Sequence, residues 1–419
     1  MHFRNIRNVP ALFFVFPSVG YAVFFIGTSL KLHELSYSGI TIGVTYAAFH
    51  LSSMIGSLII PRSLYRYYNI FLALSVIILV LAGISVALTT SWLVILGLFS
   101  IIGLLYSALG PALTYAMTRQ ENDMRKMLVA LTVPQNLGWS VGFLVGALAC
   151  FIFRSLNMAF IVASLSALPA LAFLKPLLNM LNRANLREGK SRIEKRSSAR
   201  GLVRMVLLFY SSVLLGFFAS SIFFTALPPL LSKLGLSNFE IYTARTVGAF
   251  LATLSYVITI DAMLRHVRKV LVRVAQSMFV RGAMFLLFFT AFLASTHVEL
   301  LAITIIVLSI IGIAWSYLNT GIKLVTLCFR EQAHRVLGEV NFLISLGFIT
   351  GSVVSGILLD YAPSMIPITS GTLALAAALL YLITQRELAK LNIAEGLLPQ
   401  LEEQTNNVRE AKENNRNLQ

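Results

Sequence analysis

Small and polar side chains recur at helical spacing in two segments of the chain, and stripes of this kind either bind a solute or pack helices. Intervals of three and four residues place them on one face of a helix. The first stripe contains Ser100, Gly103, Ser107, Gly110 and Thr114. The second stripe contains Ser309, Gly312, Ser316, Asn319 and Lys323. Small residues allow close helix packing, whereas the amide of Asn319 and the amine of Lys323 favour contact with a solute.

Aromatic residues beside the stripes could stack on a flat solute. Trp315 and Tyr317 lie beside the second stripe, and Tyr106 takes the matching position in the first. We therefore expect a solute cavity that is formed by Tyr106, Ser107, Trp315, Ser316, Tyr317, Asn319 and Lys323.

Charged and titratable residues inside apolar segments are a second group of candidates: His50, Arg245, Arg281 and Glu339. Arg245 is near the end of its segment and could extend its side chain to the membrane surface. Arg281 lies deeper, and either a structural ion pair with Asp261 or Glu339 or a contact with a solute would explain it. His50 is expected to hydrogen-bond another helix, with proton transfer as the alternative.

Acidic residues are absent from the interiors of the apolar segments, since all 17 lie at segment ends, in loops or in the tail. A site for cations would need a buried acid, so a neutral or anionic solute is favoured. The chain shows neither a nucleophile with a base nor a cluster of metal ligands nor a phosphate-binding motif. The sequence thus argues against an enzyme, and we expect no metal and no cofactor.

The elements that must position these residues are long apolar helices. The chain has 419 residues, of which 57% are hydrophobic and 12% charged. Runs of about 20 apolar residues match the roughly 30 Å hydrocarbon core of a bilayer. We expect an all-α polytopic membrane protein with these twelve spans: Val9–Leu30, Ile40–Ile60, Ile70–Leu88, Trp92–Met117, Met127–Phe153, Met158–Leu174, Val203–Leu231, Ile241–Ile260, Val270–Ala294, Leu300–Leu327, Val336–Leu359 and Met365–Thr384.

The net charge of +16 reflects membrane topology and not a nucleic-acid surface, because most of the 33 lysines and arginines sit in segments between the spans. Most belong to the loops of one face, and the other face has only Lys31, Arg154 and Lys233. By the positive-inside rule the basic face is cytoplasmic. We expect a protein of the cell membrane that contacts the lipid bilayer and has both termini in the cytoplasm.

One long polar break divides the spans six and six. It predicts an N-terminal six-helix bundle at 1–174, a basic cytoplasmic linker at 175–202, a C-terminal bundle at 203–384 and a partly disordered tail at 385–419. Either the linker contacts anionic lipid or it only joins the halves and fixes their topology.

The two bundles contain an internal repeat. SIIGLLYSAL at Ser100–Leu109 matches SIIGIAWSYL at Ser309–Leu318 at six of ten positions. The same shift along the chain aligns Gly138 with Gly347 and Gly142 with Gly351 in the next span. A register that is shared by two helices indicates duplication of a six-helix unit.

Two parallel six-helix halves with a basic linker resemble the major facilitator superfamily of transporters over nearly the whole chain. GSLIIPRSLYR resembles the gating-loop motif of that family through Gly56, Arg62 and Arg66, with Pro61 at the usual acid. TIDAMLRHVRK is the looser second copy, with Asp261 and Arg265. GWSVGFLVG resembles the antiporter motif of drug-efflux members, with Phe143 where a proline is usual; we expect interface glycines at Gly138, Gly142, Gly146, Gly347 and Gly351.

The resemblance implies that spans one, four, seven and ten line a central cavity. It implies a monomeric secondary transporter that moves a small organic solute by alternating access, with efflux and proton coupling both open. The alternative is a transporter-like receptor or scaffold that binds partners without flux.

Overall fold

The structure is a computed structural model that describes residues 9–63, 68–120, 124–185, 200–266, 269–327 and 333–390. In these residues, α-helices and one 3₁₀ segment, Phe288–Leu293, are joined by short turns. The α-helices are α1 (Val9–Glu34), α2 (Gly39–Ser63), α3 (Tyr68–Leu88), α4 (Trp92–Gln120), α5 (Met124–Phe153), α6 (Leu156–Leu165), α7 (Ala170–Asn185), α8 (Arg200–Lys233), α9 (Asn238–Arg265), α10 (Val270–Leu287), α11 (His297–Leu327), α12 (Ala333–Tyr361) and α13 (Met365–Lys390).

Length and composition make the chain a multi-pass membrane protein. Within the described residues, nine helical segments are long and apolar enough to cross a bilayer, and two shorter apolar helices occur at Leu72–Leu88 and Trp92–Ser107. The expected all-α architecture is confirmed for the described residues, while the count of twelve spans stays a prediction.

The predicted sixth span, Met158–Leu174, is not one continuous helix. It is divided into α6 and α7, with Pro169 in the break. A proline has no N–H, and its ring displaces the preceding residue from helical geometry. The amides of Ala167 and Leu168 instead bond to carbonyls three residues back. The two helices still form one apolar segment, Leu156–Asn179.

The helices also extend beyond the predicted bundle boundaries. α7 and α8 both enter the predicted linker, and α13 runs past residue 384 to Lys390. Residues 1–8, the middle of the linker at 186–199 and the tail from 391 lie outside the described residues. The predicted division into two bundles, a linker and a tail therefore stays a prediction.

The same helix pairs pack in both halves of the chain, which we define as residues 9–185 and 200–390. α1 packs on α5 and α2 on α4 in the first half, and α8 packs on α12 and α9 on α11 in the second. Between the halves, α2 contacts α12 and α5 contacts α9. The repeat in the sequence is thus accompanied by a repeat in packing.

Glycines bring paired helices into backbone contact. A Cβ added at Gly142 would lie 2.4 Å from the carbonyl oxygen of Val19 on α1, far inside van der Waals contact. Gly138 faces α1 in the same way, and Gly347 and Gly351 face α8. Each of these four predicted interface glycines contacts a helix of its own half. The fifth, Gly146, faces Tyr242 of the other half.

A carboxylate joins the halves at the face that holds residues 35–38. The Asp360 carboxylate, at the end of α12, accepts hydrogen bonds from the backbone N–H groups of Gly39 at 2.6 Å and Ile40 at 2.9 Å. These amides begin α2, where no carbonyl of the helix itself is available to them. Asp360 therefore caps a helix of the opposite half.

Candidate functional site

A fully buried arginine lies in the interior of the second half. Arg281 is on α10, about 16 Å from the start of that helix by helical rise, and its side chain is 0% exposed. Its Nη2 donates to Ser220 Oγ on α8 at 2.9 Å. In the described part of the chain its buried Nε and Nη1 have no hydrogen-bond partner. Since arginine has five N–H donors, most of its bonding capacity is unused.

Three aromatic rings surround this guanidinium group. Its central carbon is 5.1 Å from the ring centre of Trp315 on α11 and 5.7 Å from those of Phe224 and Phe285. A desolvated cation over a ring face is stabilised by about 2 kcal/mol. The rings hold the charge in place but do not neutralise it.

A second arginine contacts one of the same rings. The guanidinium carbon of Arg245, on α9, is 4.8 Å from the ring centre of Phe224 and 5.3 Å from that of Phe143 on α5. Phe224 lies about 14 Å from the end of α8 by helical rise. Because Arg245 contacts this ring, the Arg245 side chain points into the protein. The expected extension of Arg245 to the membrane surface is therefore wrong. Its Nε is buried and lacks a hydrogen-bond partner among the described residues.

Of the two alternatives that the sequence leaves for Arg281, the ion pair with Asp261 or Glu339 is wrong. Asp261 binds Arg125 at 2.6 Å, and Glu339 accepts a hydrogen bond from the Tyr210 hydroxyl. Neither arginine has a carboxylate within salt-bridge distance in the described residues. The same residues contain no group of three His, Cys, Asp or Glu side chains that could hold a metal ion.

The predicted stripes serve mainly as packing surfaces. The Ser316 hydroxyl is 2.9 Å from those of Ser255 and Thr259 on α9. A Cβ on Gly312 would lie 2.1 Å from a carbonyl oxygen of α9, and one on Gly103 would lie 2.4 Å from a carbonyl oxygen of α2. The helix-packing alternative therefore describes these residues.

Asn319, like Ser316, has a polar side-chain partner on α9. Its Nδ2 donates to the hydroxyl of buried Tyr256 on α9 at 2.7 Å. Tyr317 packs against the core, and Lys323 lies one turn beyond Asn319 and is partly buried. The first stripe has glycine at the position that matches Asn319, so this hydrogen bond distinguishes the halves.

Tyr106 anchors a polar aromatic cluster in the first half. Its hydroxyl accepts hydrogen bonds from Gln135 Nε2 and, at 3.3 Å, from Trp139 Nε1. Its ring centre is 4.3 Å from that of Tyr21. Ser107, its neighbour, instead bonds a carbonyl of its own helix at 2.8 Å. Tyr106 belongs to the cluster, and Ser107 belongs to the contact between α2 and α4.

A row of rings connects the halves. His50 on α2 stacks on Phe348 of α12 with ring centres 4.5 Å apart and planes 16° apart. Phe348 meets Phe217 at 5.6 Å, and Phe217 meets Trp315 at 6.0 Å. The Nε2 atom of His50 is buried and has no hydrogen-bond partner in the described residues. His50 thus contacts the other half through its ring face.

The second copy of the gating-loop motif contributes a contact between the halves. Arg125 on α5 binds Asp261 on α9 through two hydrogen bonds, Nε to Oδ1 at 2.6 Å and Nη2 to Oδ2 at 3.2 Å. Gly56 of the first copy packs against Ser107 on α4, and Arg265 is exposed. The side chains of Arg62 and Arg66 lie outside the described residues.

Sequence reasoning identified Trp315 but not the other residues that surround the arginines. Phe224 and Ser220 come from α8, and Phe143 comes from the other half. A signal was present, because both arginines occur in segments whose interiors lack acids. The carboxylates that the sequence offered to Arg281, those of Asp261 and Glu339, lie at span ends and bind other residues.

Solved structures show what the fold is similar to, although no family model and no curated protein matches the chain. The nucleoside transporter NupG is 14% identical, with 92% of this chain and 98% of that chain covered and a TM-score of 0.62. A bacterial homologue of the human lysosomal transporter Spinster, inward-facing and unoccupied, is 11% identical, with 92% and 97% covered and a TM-score of 0.60. The major facilitator type of fold that the sequence predicts is confirmed at the level of the fold.

Proposed function

We propose that the chain is a secondary active transporter that moves a small organic solute, neutral or anionic, across a membrane by alternating access. The observation that carries the proposal is the pair of charged side chains, Arg245 and Arg281, enclosed in a helical membrane protein with a transporter fold. Charged groups inside membrane helices are costly and mark the path of a solute.

The proposed path runs between two six-helix bundles formed by twelve spans. Tyr106 and its partners would line it from the first half, and Trp315 and Asn319 from the second. The contacts α2–α12 and α5–α9 connect the halves. Rotation of one half against the other about these contacts would open the path to either side in turn.

Polar contacts between the halves at opposite faces would act as gates. Asp360 caps α2 at the face of residues 35–38, and Arg125 binds Asp261 at the opposite face. Each breaks when the halves separate at that end. We propose that the Arg125 face is cytoplasmic in the cell membrane, because the basic loops lie there, and that the monomer transports in the direction of efflux, with His50 as the group to test for proton coupling.

Reconstitution tests the proposal. Proteoliposomes are incubated with a mixture of nucleosides, sugars, amino acids and organic acids, and the vesicle contents are analysed by mass spectrometry. We expect saturable, time-dependent accumulation of at least one solute. Trp315→Ala and Asn319→Ala should lower its flux about tenfold, the effect of losing one contact of about 1.4 kcal/mol.

The control variant is Leu207→Ala. Leu207 on α8 is 59% exposed and lies far along that helix from Phe224, the ring that both arginines contact. Accumulation no greater than in protein-free vesicles would contradict transport. Binding of a solute without flux would instead favour the receptor or scaffold alternative.

A further inference from the structure

Building on the proposed transport function, we propose that the substrate is a small organic anion whose acidic group binds between Arg245 and Arg281. A flat apolar part of the same molecule would lie against Phe224 and Trp315. Four observations carry this assignment: the charge balance of the interior, the free donor atoms, the shared ring, and the way in which Arg281 is held.

Arg245 and Arg281 carry two positive charges, and in the described residues no carboxylate lies within salt-bridge distance of either. Guanidinium groups stay protonated in proteins, and the two charges repel each other. A buried charge without a partner is strongly unfavourable. An anion that enters the site neutralises both arginines, whereas a neutral solute would leave both charges in place.

The donor atoms that an anion needs are free. Nε and Nη1 of Arg281 and Nε of Arg245 are buried and unbonded within the described part of the chain. Carboxylates and phosphates accept two parallel N–H bonds from one guanidinium group. Both guanidinium groups contact the ring of Phe224, and the acidic group of the proposed substrate would lie beside that ring and bond to both.

Arg281 is held in a fixed position from the side of α8. Ser220 Oγ accepts the bond from its Nη2 at 2.9 Å and donates its own proton to the Gly216 carbonyl at 2.7 Å. Ser220 thus positions the guanidinium group without neutralising it. A purely structural arginine in a membrane protein would be expected to pair with a carboxylate or with several carbonyl oxygens.

The proposed route to the site is from the side of Arg245. Arg281 is fully buried, while Arg245, Phe224 and Trp315 each remain partly exposed. Flat apolar surface is therefore presented next to the charged groups. This combination favours an anion with an aromatic or other planar body over inorganic phosphate or chloride.

Three probes of one shape and different charge test the assignment: benzoate, benzamide and benzamidine. Purified protein in detergent is heated with each probe at millimolar concentration, and the thermal midpoint is followed by intrinsic fluorescence. A ligand that binds the folded state raises the midpoint. We expect benzoate to raise it by about 2 °C or more, benzamide by less, and benzamidine not at all.

Variants that remove one charge supply the second measurement. Arg281→Met and Arg245→Met should abolish the benzoate shift, and without a probe they should melt at or above the wild-type temperature, because an uncompensated charge is gone. Arg281→Lys keeps the charge and should keep part of the shift. Arg386→Met, which removes an exposed charge on α13, is the matched control and should behave as wild type.

The proposal is overturned if benzamide stabilises as well as benzoate, if benzoate has no effect on the wild type, or if the benzoate shift persists in both methionine variants. Melting of both methionine variants below wild type would assign the arginines a structural role and also overturn it. Failure of this proposal can be distinguished from failure of the transport proposal. If the protein transports a neutral solute and both methionine variants still transport it, only the anion site is contradicted. If benzoate binds but no solute is transported, only the transport function is contradicted.

Discussion

Replacing Asp261 by asparagine should loosen the contact between α5 and α9 at the Arg125 face. The carboxylate accepts two bonds from Arg125, and the two side chains are 36% and 34% exposed. An exposed ion pair contributes about 0.2–1 kcal/mol, and breaking a buried one costs about 3–5 kcal/mol. A pair that is one third exposed should lie between these limits, at about 1–2 kcal/mol, which shifts a local opening equilibrium about 5–30-fold.

Hydrogen–deuterium exchange measures this shift without a known substrate. Amides that exchange through local opening report its free energy, so peptides from the start of α5 and the end of α9 should exchange about 5–30-fold faster in Asp261→Asn. Peptides from the face of residues 35–38 serve as the internal reference and should not change. The exchanged pair Arg125→Asp with Asp261→Arg should return the rates to nearly the wild-type values.

Two results would refute this reasoning. Unchanged exchange in Asp261→Asn would mean that the pair contributes nothing to closure at this face. A charge-exchanged variant that opens as readily as the single variant would mean that the effect of Asp261 does not arise from its attraction to Arg125.

Three further outcomes are expected. Gly142→Ala should lower the thermal midpoint, because overpacking against α1 costs about 1–3 kcal/mol. In the control Gly97→Ala, an added Cβ meets no atom within 4 Å, and the midpoint should stay the same or rise because alanine favours a helix by about 1 kcal/mol. Equal shifts of the midpoint in both variants would contradict the close contact of Gly142 with α1. The hydroxyls of Ser140 on α5 and Thr253 on α9 are 3.0 Å apart, so cysteines at both positions should form a disulfide that blocks flux until a reductant is added. Each single cysteine variant is the control. Normal flux in the cross-linked protein would exclude movement at this contact. Asp360→Ala should speed amide exchange in the first turn of α2, since loss of a cap costs about 1 kcal/mol. Unchanged exchange there would show that the Asp360 carboxylate does not protect these amides.

Close helix packing could be predicted from the sequence because it depends on small residues in a fixed register. The shift that aligns Gly138 with Gly347 and Gly142 with Gly351 also aligns the contacts α1–α5 and α8–α12. The division of span six could not be read from hydropathy, since the residues around Pro169 are as apolar as those of a continuous helix. Proline geometry determines that break.

The proposed binding site was less accessible to sequence reasoning because its contacts are distant along the chain. Asn319 stood out as a polar residue at a position where the other copy has glycine, and its hydrogen bond to Tyr256 follows from that difference. The rings around Arg281 come from three helices, and no periodicity within one helix reveals them. Arg245 was misplaced because distance from the end of a span says nothing about the direction of a side chain.

In the proposed mechanism, the position of Arg245 links occupancy of the site to the separation of the halves. Its guanidinium group lies against Phe143 of the first half and Phe224 of the second, so it forms part of the joint between them. A solute that draws this cation toward itself weakens its contact with Phe143, and separation of α5 from α9 in turn leaves the cation freer to bind. By thermodynamic linkage the two events must favour each other equally. A single side chain would then convert the arrival of a ligand into a looser joint, which is the coupling that alternating access requires.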